Sequence, residues 1–317
     1  MDKPNQRPLV SIICTAYNHE KYIAAALDGF IMQKTNFDFE ILVHDDASKD
    51  GTADVIRKYE RNYPDLIRPV YQTQNQYQIG NLGSVILRSM ARGKYIAVCE
   101  GDDYWIDPYK LQKQADHLQS HPECSLCVHA AYKVSPDGKK LKSHVRPNRG
   151  DRIFTAEEVI EGGGSLFATN TMMYPAIYDE KRPDFFKIAP VGDYPMAIHL
   201  ASNGVVYYMD EFMSCYRVSV QGSWTSRIFS DDEKIANHFS RIAAMLDAID
   251  IATGYRYKDA IARAKKHNEF RILLIQEKYK DLRKVEFEEF YKALGRPIKL
   301  KIFVKKHFPV LVRTISR

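Results

Sequence analysis

The sequence predicts an α/β fold in which a mixed, mostly parallel central sheet is flanked by helices and followed by a helical C-terminal region. Three observations support this prediction. Short β-rich runs alternate with helical segments through the first 120 residues, which is typical of a parallel sheet covered on both faces. Each of these β-rich runs ends in polar residues. From about residue 231 the pattern changes to long, charged helices.

The individual elements follow from the local patterns in chain order. Strands are predicted at 9–15, 39–43, 66–71 and 95–99, with helices at 19–33, 52–62 and 83–91 between them. A further helix begins after Asp107 and Pro108, a capping side chain and a first-turn proline, and runs to about residue 120. Beyond it the sequence predicts strands at 125–134, 205–209 and 213–218, and a helix after Gly192. A domain boundary is predicted near residue 228.

Composition excludes several classes of protein. At 317 residues, with 45% hydrophobic and 12% aromatic residues, the chain has ample apolar surface for a packed core and is not a disordered protein. The first eight residues are polar and no run of about 18 apolar residues occurs, so we expect a soluble or peripheral protein without a signal peptide. Five cysteines, mostly in apolar runs, predict reduced thiols in a cytoplasmic protein.

The net charge of +6 is concentrated at the C terminus. Residues 290–317 contain eight Lys or Arg and no acid, so the remainder carries +6 − 8 = −2. Within this tail, the segment 298–308 mixes apolar and basic residues. It can lie on an anionic membrane surface, or it can dock on the protein with its lysines in solvent, and the sequence leaves both open. Nucleic acid is not an expected partner, because no binding motif accompanies the charge.

Two pairs of acids follow predicted strands. Asp102 and Asp103 come directly after the strand at 95–99, where adjacent carboxylates repel each other unless a cation or hydrogen-bond donors relieve them. Oxygen ligands there suit Mg²⁺ or Mn²⁺. Capping of the next helix is the alternative, but Asp107 is predicted to do that. Asp45 and Asp46 follow the strand at 39–43, where a carboxylate can accept a hydrogen bond from a pyrimidine ring.

Three segments together resemble the family-2 glycosyltransferases, which have the GT-A fold. They are P-L-V-S-I-I-C-T-A-Y-N at 8–18, I-L-V-H-D-D-A-S-K-D-G-T at 41–52 and G-K-Y-I-A-V-C-E-G-D-D-Y-W at 93–105. The resemblance implies an inverting enzyme that moves a sugar from a UDP- or dTDP-sugar to a hydroxyl of a glycan or lipid-linked acceptor. It implies a catalytic domain at 1–228, with donor binding in 1–120 and the acceptor side in 121–228. Bacterial surface-polysaccharide synthesis, at the inner face of the cell membrane, is the implied setting.

The resemblance also implies roles for particular residues. Asp193 is the expected catalytic base, and Asp103 is the expected ligand of Mn²⁺ or Mg²⁺. The expected nucleotide-sugar-binding residues are Thr15, Tyr17, Asn18, Asp45, Asp46, Asp102 and Arg217. Among these, Tyr17 is expected to stack on the base and Asp46 to read the ring, with Asp45 in support, while Asp102 faces the ribose and the sugar. Arg217 is a candidate for the diphosphate, with Arg227 as an alternative, because the arginine that many members carry before the third segment is missing here.

Two other functions remain as alternatives. A nucleotidyltransferase of sugar phosphates shares the α/β logic, but its first strand is normally followed by a glycine-rich loop, where this chain has Thr15 to Asn18. A non-catalytic scaffold of a polysaccharide-assembly complex could keep the fold without the activity. The presence of Asp102, Asp103 and Asp193 favours the enzyme.

Overall fold

The computed structural model describes residues 7–80, 83–180, 182–220 and 223–307. Within these residues one mixed sheet of ten strands forms the centre of the fold. Its strands are β1 Val10–Ala16, β2 Phe39–Asp45, β3 Ile67–Tyr71, β4 Tyr95–Val98, β5 Tyr104–Trp105, β6 Cys124–Val134, β7 Lys140–Val145, β8 Arg152–Phe154, β9 Met173–Pro175 and β10 Val205–Arg217. Residues 308–317, the end of the predicted basic tail, lie outside the described residues.

Parallel ladders run through both halves of the sheet. The strand order is β3-β2-β1-β4-β9-β6-β10-β5, with β7 added on β6 and β8 on β10. β1 is parallel to β2 and to β4, β2 is parallel to β3, and β10 is parallel to β6. β9 is antiparallel to both β4 and β6 and joins the two halves. The predicted mixed, mostly parallel α/β sheet is therefore confirmed.

Helices connect and cover these strands. They are α1 Ile23–Ile31, α2 Thr52–Asn62, α3 Gly83–Met90, α4 Lys110–Ser120, α5 Ala156–Gly162, α6 Phe185–Ile188, α7 Asp193–Asn203, α8 Trp224–Ile228, α9 Asp232–Ala252, α10 Lys258–Ile275, α11 Glu288–Ala293 and α12 Arg296–His307. Short 3₁₀ turns lie at Tyr77–Ile79, Gly163–Ser165, Thr169–Thr171, Ala176–Asp179, Asp281–Arg283 and Val285–Phe287.

The main core lies on the face of the sheet covered by α1, α2 and α4. Alternate residues of β1, Val10, Ile12 and Cys14, are fully buried there with Leu27 of α1 and Leu111 of α4. Because successive side chains of a strand point to opposite faces, the residues between them meet the other layer, where α3 packs on β1 and β2. Apolar residues on both faces of β1 explain why it reads as a continuous hydrophobic run.

The structure corrects three local predictions. The helix expected at 19–33 begins only at Ile23, because His19 donates its backbone N–H to Thr52 Oγ1 at 2.7 Å and is held in a turn. The two strands expected at 205–209 and 213–218 are one strand, because the polar residues between them lie in bulges of β10 that follow Met209. Asp107 does not cap α4: its carboxylate accepts the N–H of Tyr109, one residue before the helix.

The chain divides into two compact units. The first comprises Met1–Phe186 and Val191–Ser223, and the second comprises Lys187–Pro190 and Trp224–Arg317. The second unit is helical, as the sequence predicts, and Ile302 of α12 is buried in its core with Phe270, Leu282 and Phe287. The sequence-based boundary at residue 228 stays a prediction of where the catalytic domain ends. Within the described part of the chain, no helix is long and apolar enough to cross a bilayer.

Candidate active site

The candidate site lies in the first unit, at the carboxyl ends of β1, β2 and β4. Parallel strands that lie side by side bring the residues after each strand to one edge of the sheet. Backbone hydrogen bonds hold these segments together, since Gly101 donates to the carbonyl of Thr15 at 2.9 Å and Asp46 donates to that of Ala16 at 3.0 Å. The two acid pairs predicted from the sequence therefore lie at the same edge.

A cavity of about 560 Å³ opens beside β2. Its wall is formed by the end of β1, the turn after β2, the first turns of α2 and the segment that follows β3. Tyr17 and Asp45 line it, as do Tyr71 and Arg57, whose guanidinium lies 4.8 Å from the Tyr71 ring centre. Aromatic and basic side chains around a buried carboxylate can hold a base by stacking and by hydrogen bonding.

Asp45 and Asp46, both predicted to contribute to nucleotide binding, differ in how their carboxylates are hydrogen-bonded. Both Asp46 carboxylate oxygens already accept backbone N–H groups, from Gln76 at 2.6 Å and from Tyr77 at 3.2 Å. Asp45 is 3% exposed, and its Oδ1 has no hydrogen-bond partner among the described residues. An unpaired buried carboxylate oxygen is costly unless a ligand satisfies it. Asp45 is thus the acid available to a ligand in the cavity, while Asp46 holds the segment after β3.

Among the other residues predicted to bind the nucleotide sugar, Asn18 stabilises a turn. It adopts a positive φ of 56°, accepts the N–H of Lys49 through Oδ1 at 2.8 Å and donates its own N–H to Ser48 at 2.9 Å. These bonds fix the turn that borders the cavity. Thr15 is half-buried, and its carbonyl receives Gly101 as described above. Asn18 therefore shapes the site through its side chain and its backbone N–H, and Thr15 through its backbone carbonyl.

Asp102 and Asp103 differ sharply in their surroundings. Asp103 is 2% exposed, and its oxygens accept the N–H of Arg217 at 2.7 Å and the amide of Asn170 at 2.9 Å. Burial, followed by the charges of Asp102 and Glu100, raises the pKa of Asp103. The Asp102 side chain keeps 20% of its surface exposed and lies 3.9 Å from His19 Nε2. Asp103 is therefore the buried and hydrogen-bonded acid of the pair, and Asp102 is the acid that keeps exposed surface.

Arg217, the predicted candidate for the diphosphate, makes several contacts within the protein. Its Nε donates to the carbonyl of Asp102 at 2.8 Å, and Nη1 donates to the carbonyls of Ser135 and Pro136 at 3.3 and 2.9 Å. The guanidinium also lies 4.6 Å from the Tyr22 ring centre. Only 8% of Arg217 is exposed, so its charged group contacts other groups of the protein and little solvent. Arg217 therefore holds the backbone of Asp102 against the turn at Ser135 and Pro136.

Asp193, the predicted base, begins α7 and faces other acids. Its Oδ1 accepts the N–H of Tyr194 at 2.8 Å. Burial, then the charges of Asp102 and Asp193, raise the pKa of Glu100 to about 8. Burial likewise raises the pKa of Asp193 above its usual value, and hydrogen bonds from Tyr194 and Thr169 oppose this. The structure thus brings Asp193 together with the acids that follow β4.

The residues present suit a divalent cation bound jointly with a ligand. Among the residues that the structure describes, no three Asp, Glu, His or Cys side chains converge into a complete metal site. Mg²⁺ and its relatives are commonly held by one or two carboxylates, with phosphate oxygens of the substrate completing the shell. The partly exposed Asp102 beside the buried, mutually repelling Glu100 and Asp103 offers that donor set.

Three further residues, Glu100, Thr169 and Asn170, lie beside these acids. In the sequence Glu100 is recognisable only as a third acid close to Asp102, and nothing there indicates its closeness to Asp193, 93 positions along the chain. Thr169 and Asn170 lie in a short 3₁₀ turn that touches these acids. From the sequence, residues 169–171 could form an acceptor-side loop or an ordinary connection, and their contact with the acids after β4 has no signal there.

Comparisons with known proteins bear on the family of this chain. The family model described as "Glycosyl transferase family 2" matches residues 11–178. An uncharacterized protein of Mycobacterium tuberculosis is 34% identical over 258 residues, which is 80% of this chain and 71% of the relative.

Two solved structures are also similar. Mannosyltransferase PcManGT from Pyrobaculum calidifontis, in complex with GDP-Man and Mn²⁺, superposes with a TM-score of 0.58 at 16% identity, over 96% of this chain and 85% of that one. S. aureus TarS 1-349 in complex with UDP-GlcNAc gives 0.57 at 17% identity, over 92% and 78%. At this level of identity the likeness bears on the fold, and it confirms the GT-A fold that the sequence predicts.

Proposed function

The chain belongs to glycosyl transferase family 2, and from that premise we propose that it transfers a sugar, with inversion, from a UDP- or dTDP-sugar to a hydroxyl of a glycan or lipid-linked acceptor. The observation that carries the proposal is the pairing of two features at one sheet edge. A buried acid with an unpartnered oxygen, Asp45, faces the cavity, and a second, partly exposed acid, Asp102, follows β4.

The cavity supports binding of a pyrimidine nucleotide. Asp45 Oδ1 can accept the ring N–H of uracil or thymine, and Tyr17 can stack on the ring. A charge-assisted hydrogen bond of this kind contributes about 1.5–3 kcal/mol. TarS has been solved with UDP-GlcNAc, which agrees with a uridine donor. We therefore assign base recognition to Asp45 in place of Asp46.

We assign the metal-binding role to Asp102. A Mn²⁺ or Mg²⁺ ion bound there with the diphosphate would neutralise negative charge on the leaving group. PcManGT has been solved with Mn²⁺, which agrees with a metal-dependent donor site. The protein itself holds Asp102 in place, because Arg217 binds the carbonyl of Asp102 and anchors Asp103 through its own N–H. The motif is thereby oriented before any ligand arrives.

Asp193 is proposed as the general base. It lies among acids at the start of α7, where its carboxylate can accept the proton of an acceptor hydroxyl as that oxygen attacks the anomeric carbon. Attack on the face opposite the leaving nucleotide inverts the configuration in one displacement. The raised pKa of Asp193 suits this role, because a base works best when its pKa approaches the working pH.

The second unit supports a place at the inner membrane surface, as expected for a lipid-linked acceptor in bacterial surface-polysaccharide synthesis. Ile302 of α12 is buried, whereas Leu300 and Phe303 are 63% and 51% exposed, and Lys301 is exposed between them. Outward apolar and basic side chains on one helix suit an anionic lipid surface. Co-sedimentation with phosphatidylglycerol vesicles but not with phosphatidylcholine vesicles is expected, and Leu300→Ser should weaken it.

The donor proposal is tested by thermal shift with UDP, dTDP and GDP, with and without Mn²⁺. A ligand that binds only the folded state raises the Tm, so stabilisation by UDP or dTDP that requires the metal is expected. The base is tested with Asp193→Asn in a nucleotide-release assay on a panel of nucleotide sugars. Turnover that survives Asp193→Asn removes this residue as the base. If no nucleotide stabilises the protein, the non-catalytic scaffold becomes the better account, and release of pyrophosphate would indicate a nucleotidyltransferase.

A further inference from the structure

The hairpin of β6 and β7 carries a concentrated positive charge. Residues 1–223 contain 25 Lys or Arg and 28 Asp or Glu, a net charge of −3. Within them, residues 133–149 contain six Lys or Arg and one acid, a net charge of +5, so the remainder carries −3 − 5 = −8. A concentration of positive charge in an otherwise acidic part of the chain indicates a surface for a negatively charged partner.

One face of this hairpin is covered and the other is open. Ala131 and Val145 pair across β6 and β7, and both are buried in a cluster with Ala168. The next pair, Tyr132 and His144, lies on the opposite face, because successive side chains of a strand alternate. Four basic residues in β7 or directly after it are exposed, namely Lys140, Lys142, His144 and Arg146.

Two aromatic rings form the centre of the open face. The rings of Tyr132 and Phe212 stack with their centres 4.2 Å apart. Lys140 Nζ lies 3.6 Å from the centre of the Tyr132 ring, and the Arg146 guanidinium lies 5.5 Å from that of Phe212. His144 stands nearly perpendicular to both rings, with ring centres 5.5 and 5.2 Å away. The two rings thus gather three basic side chains, and we call these five residues the basic face.

Most of the positive charge on the hairpin is not paired. Among the residues that the structure describes, Lys139 pairs with Asp137 and Arg146 pairs with Asp210. The other four cations of the segment form no ion pair with a described residue; they are Lys133, Lys140, Lys142 and Arg149. An anionic ligand can therefore supply the carboxylates that the protein itself does not.

The hairpin begins next to the candidate active site. The carbonyls of Ser135 and Pro136, in its turn, accept Nη1 of Arg217, the residue that also binds the carbonyl of Asp102. From this turn β7 leads away over six residues, which is about 20 Å at about 3.3 Å per residue. A chain-like ligand that lies along β7 thus has one end at the turn that Arg217 holds.

We propose that the acceptor is an acidic glycan and that the basic face binds its carboxylate-bearing sugars; this inference rests on the glycosyltransferase function proposed above. Carboxylates that recur along a sugar chain match cations that recur along β7. The N–H groups of lysine, histidine and arginine also donate hydrogen bonds to sugar hydroxyls. Stacking on Tyr132 holds the Lys140 ammonium in place before the glycan binds.

Other anionic partners fit the basic face less well. Single-stranded nucleic acids stack their bases on open aromatic rings, whereas Phe212 covers one side of the Tyr132 ring and Lys140 covers the other. Membrane surfaces bind apolar side chains that enter the lipid, in addition to basic ones, and both rings of this face are half-buried. An acidic glycan needs neither an open ring nor a protruding apolar side chain.

The test is calorimetric titration of the whole chain at low salt with hexagalacturonate, an oligomer in which every sugar carries a carboxylate. Maltohexaose provides neutral sugars, and hexaglutamate provides carboxylates without sugars. We expect hexagalacturonate to bind about tenfold or more tightly than either. Lys140→Glu should weaken this binding about fivefold or more, and Lys58→Glu, the same charge change on the exposed face of α2, should leave it unchanged. Both variants should keep the wild-type Tm, because both side chains are exposed.

Absence of hexagalacturonate binding overturns the inference, as does equal binding of hexaglutamate, which would indicate a general attraction to carboxylates. Equal weakening by Lys58→Glu would contradict it too, since the basic face would then have no special part. Phosphatidylglycerol vesicles and a single-stranded oligonucleotide are titrated in parallel. If one of them binds in place of the glycan and Lys140→Glu prevents this, the face belongs to a membrane or a nucleic acid.

The failure of this inference is distinguishable from the failure of the proposed function. None of the titrations requires a nucleotide sugar or turnover. The proposed function fails when no nucleotide stabilises the protein or when Asp193→Asn keeps its turnover, whatever the glycan titrations show. Conversely, a protein that is stabilised by UDP and Mn²⁺ but does not bind hexagalacturonate keeps the proposed function and loses only the acidic acceptor.

Discussion

The backbone N–H of Arg217 donates a 2.7 Å hydrogen bond to Asp103 Oδ1, while Arg217 Nε donates a 2.8 Å bond to the carbonyl of Asp102. One residue at the end of β10 thereby holds both acids that follow β4, although 114 positions separate it from Asp103. The two neighbouring carboxylates acquire different tasks as a result. Asp103 joins the strands, and Asp102 remains available to solvent and ligands.

Replacing the two acids separately should give opposite results. Asp102→Ala is expected to abolish the stabilisation by UDP and Mn²⁺ with little change in the Tm of the protein alone, because its side chain is partly exposed. Asp103→Ala should lower the free energy of unfolding by about 3 kcal/mol, since two buried donors lose their acceptor. Thermal shift of both variants with and without ligand measures this. If only Asp103→Ala loses the metal-dependent stabilisation by UDP, Asp103 is the metal ligand and Asp102 is not.

A similar contrast is expected at the base cavity. Asp45→Ala should weaken nucleotide binding about 10- to 100-fold, as measured by calorimetry, and should leave the Tm of the free protein unchanged or higher, because it removes a buried oxygen without a partner. Asp46→Ala should lower the Tm, since it releases the N–H groups of Gln76 and Tyr77. Equal loss of affinity in both variants, with no change in Tm, would argue against this division.

Substitution of Arg217 should act on stability first. Arg217→Lys keeps the charge but cannot reach the carbonyls of Asp102, Ser135 and Pro136 together, so we expect a loss of about 2–4 kcal/mol. Urea unfolding measures the loss, and Lys58→Gln on the exposed face of α2 serves as the control. Reduced UDP affinity in Arg217→Lys without any loss of stability would restore the diphosphate role inferred from the sequence.

Buried histidines predict a loss of stability in mild acid. Burial, followed by the charge of Lys110, holds the pKa of His129 well below its usual value, so the folded protein keeps this side chain neutral. The unfolded chain takes up the proton near pH 6.5, and stability therefore falls as the pH drops below that value, by about 1.4 kcal/mol per pH unit for such a group. Urea midpoints at pH 7.5 and 5.5 measure the slope. His129→Leu should make it shallower, and an unchanged slope would refute the assignment.

The fold was accessible to sequence reasoning because its signals are local. The four strands and three helices of the donor half alternate with clear periodicity, and each predicted strand there lies within a residue or two of its final bounds. The full length of β10 is harder to predict, because Asp210 and Glu211 interrupt its apolar pattern. The carboxylate of Asp210 is satisfied by a bidentate pair with Arg146 at 2.7 and 2.6 Å, a contact between distant positions that local pattern cannot reveal.

The sequence predicts where the candidate site lies, but not how the two acids of each pair differ. Sequence motifs identified both acid pairs and placed them at one edge of the sheet. In each pair, hydrogen-bond donors within the protein occupy one carboxylate and leave the other with a free surface or a free oxygen. These donors are Arg217 and Asn170 for Asp103, and the backbone after β3 for Asp46. Such donors are backbone groups or distant amides, so motif spacing carries no record of them.

The hydrogen bonds between Asp46 and the residues after β3 tether this segment, and the tether has a consequence for how the cavity can change during evolution. This segment forms one wall of the cavity, and it is held to Asp46 by the backbone N–H groups of residues 76 and 77 and by the side-chain amide of Asn75, which donates to the Asp46 carbonyl at 3.1 Å. The two backbone bonds do not depend on which side chains stand at positions 76 and 77, proline excepted. The cavity-lining side chains of Thr73 and Gln78 lie on the same segment, so a lineage can change them and keep both the tether and the acids after β4.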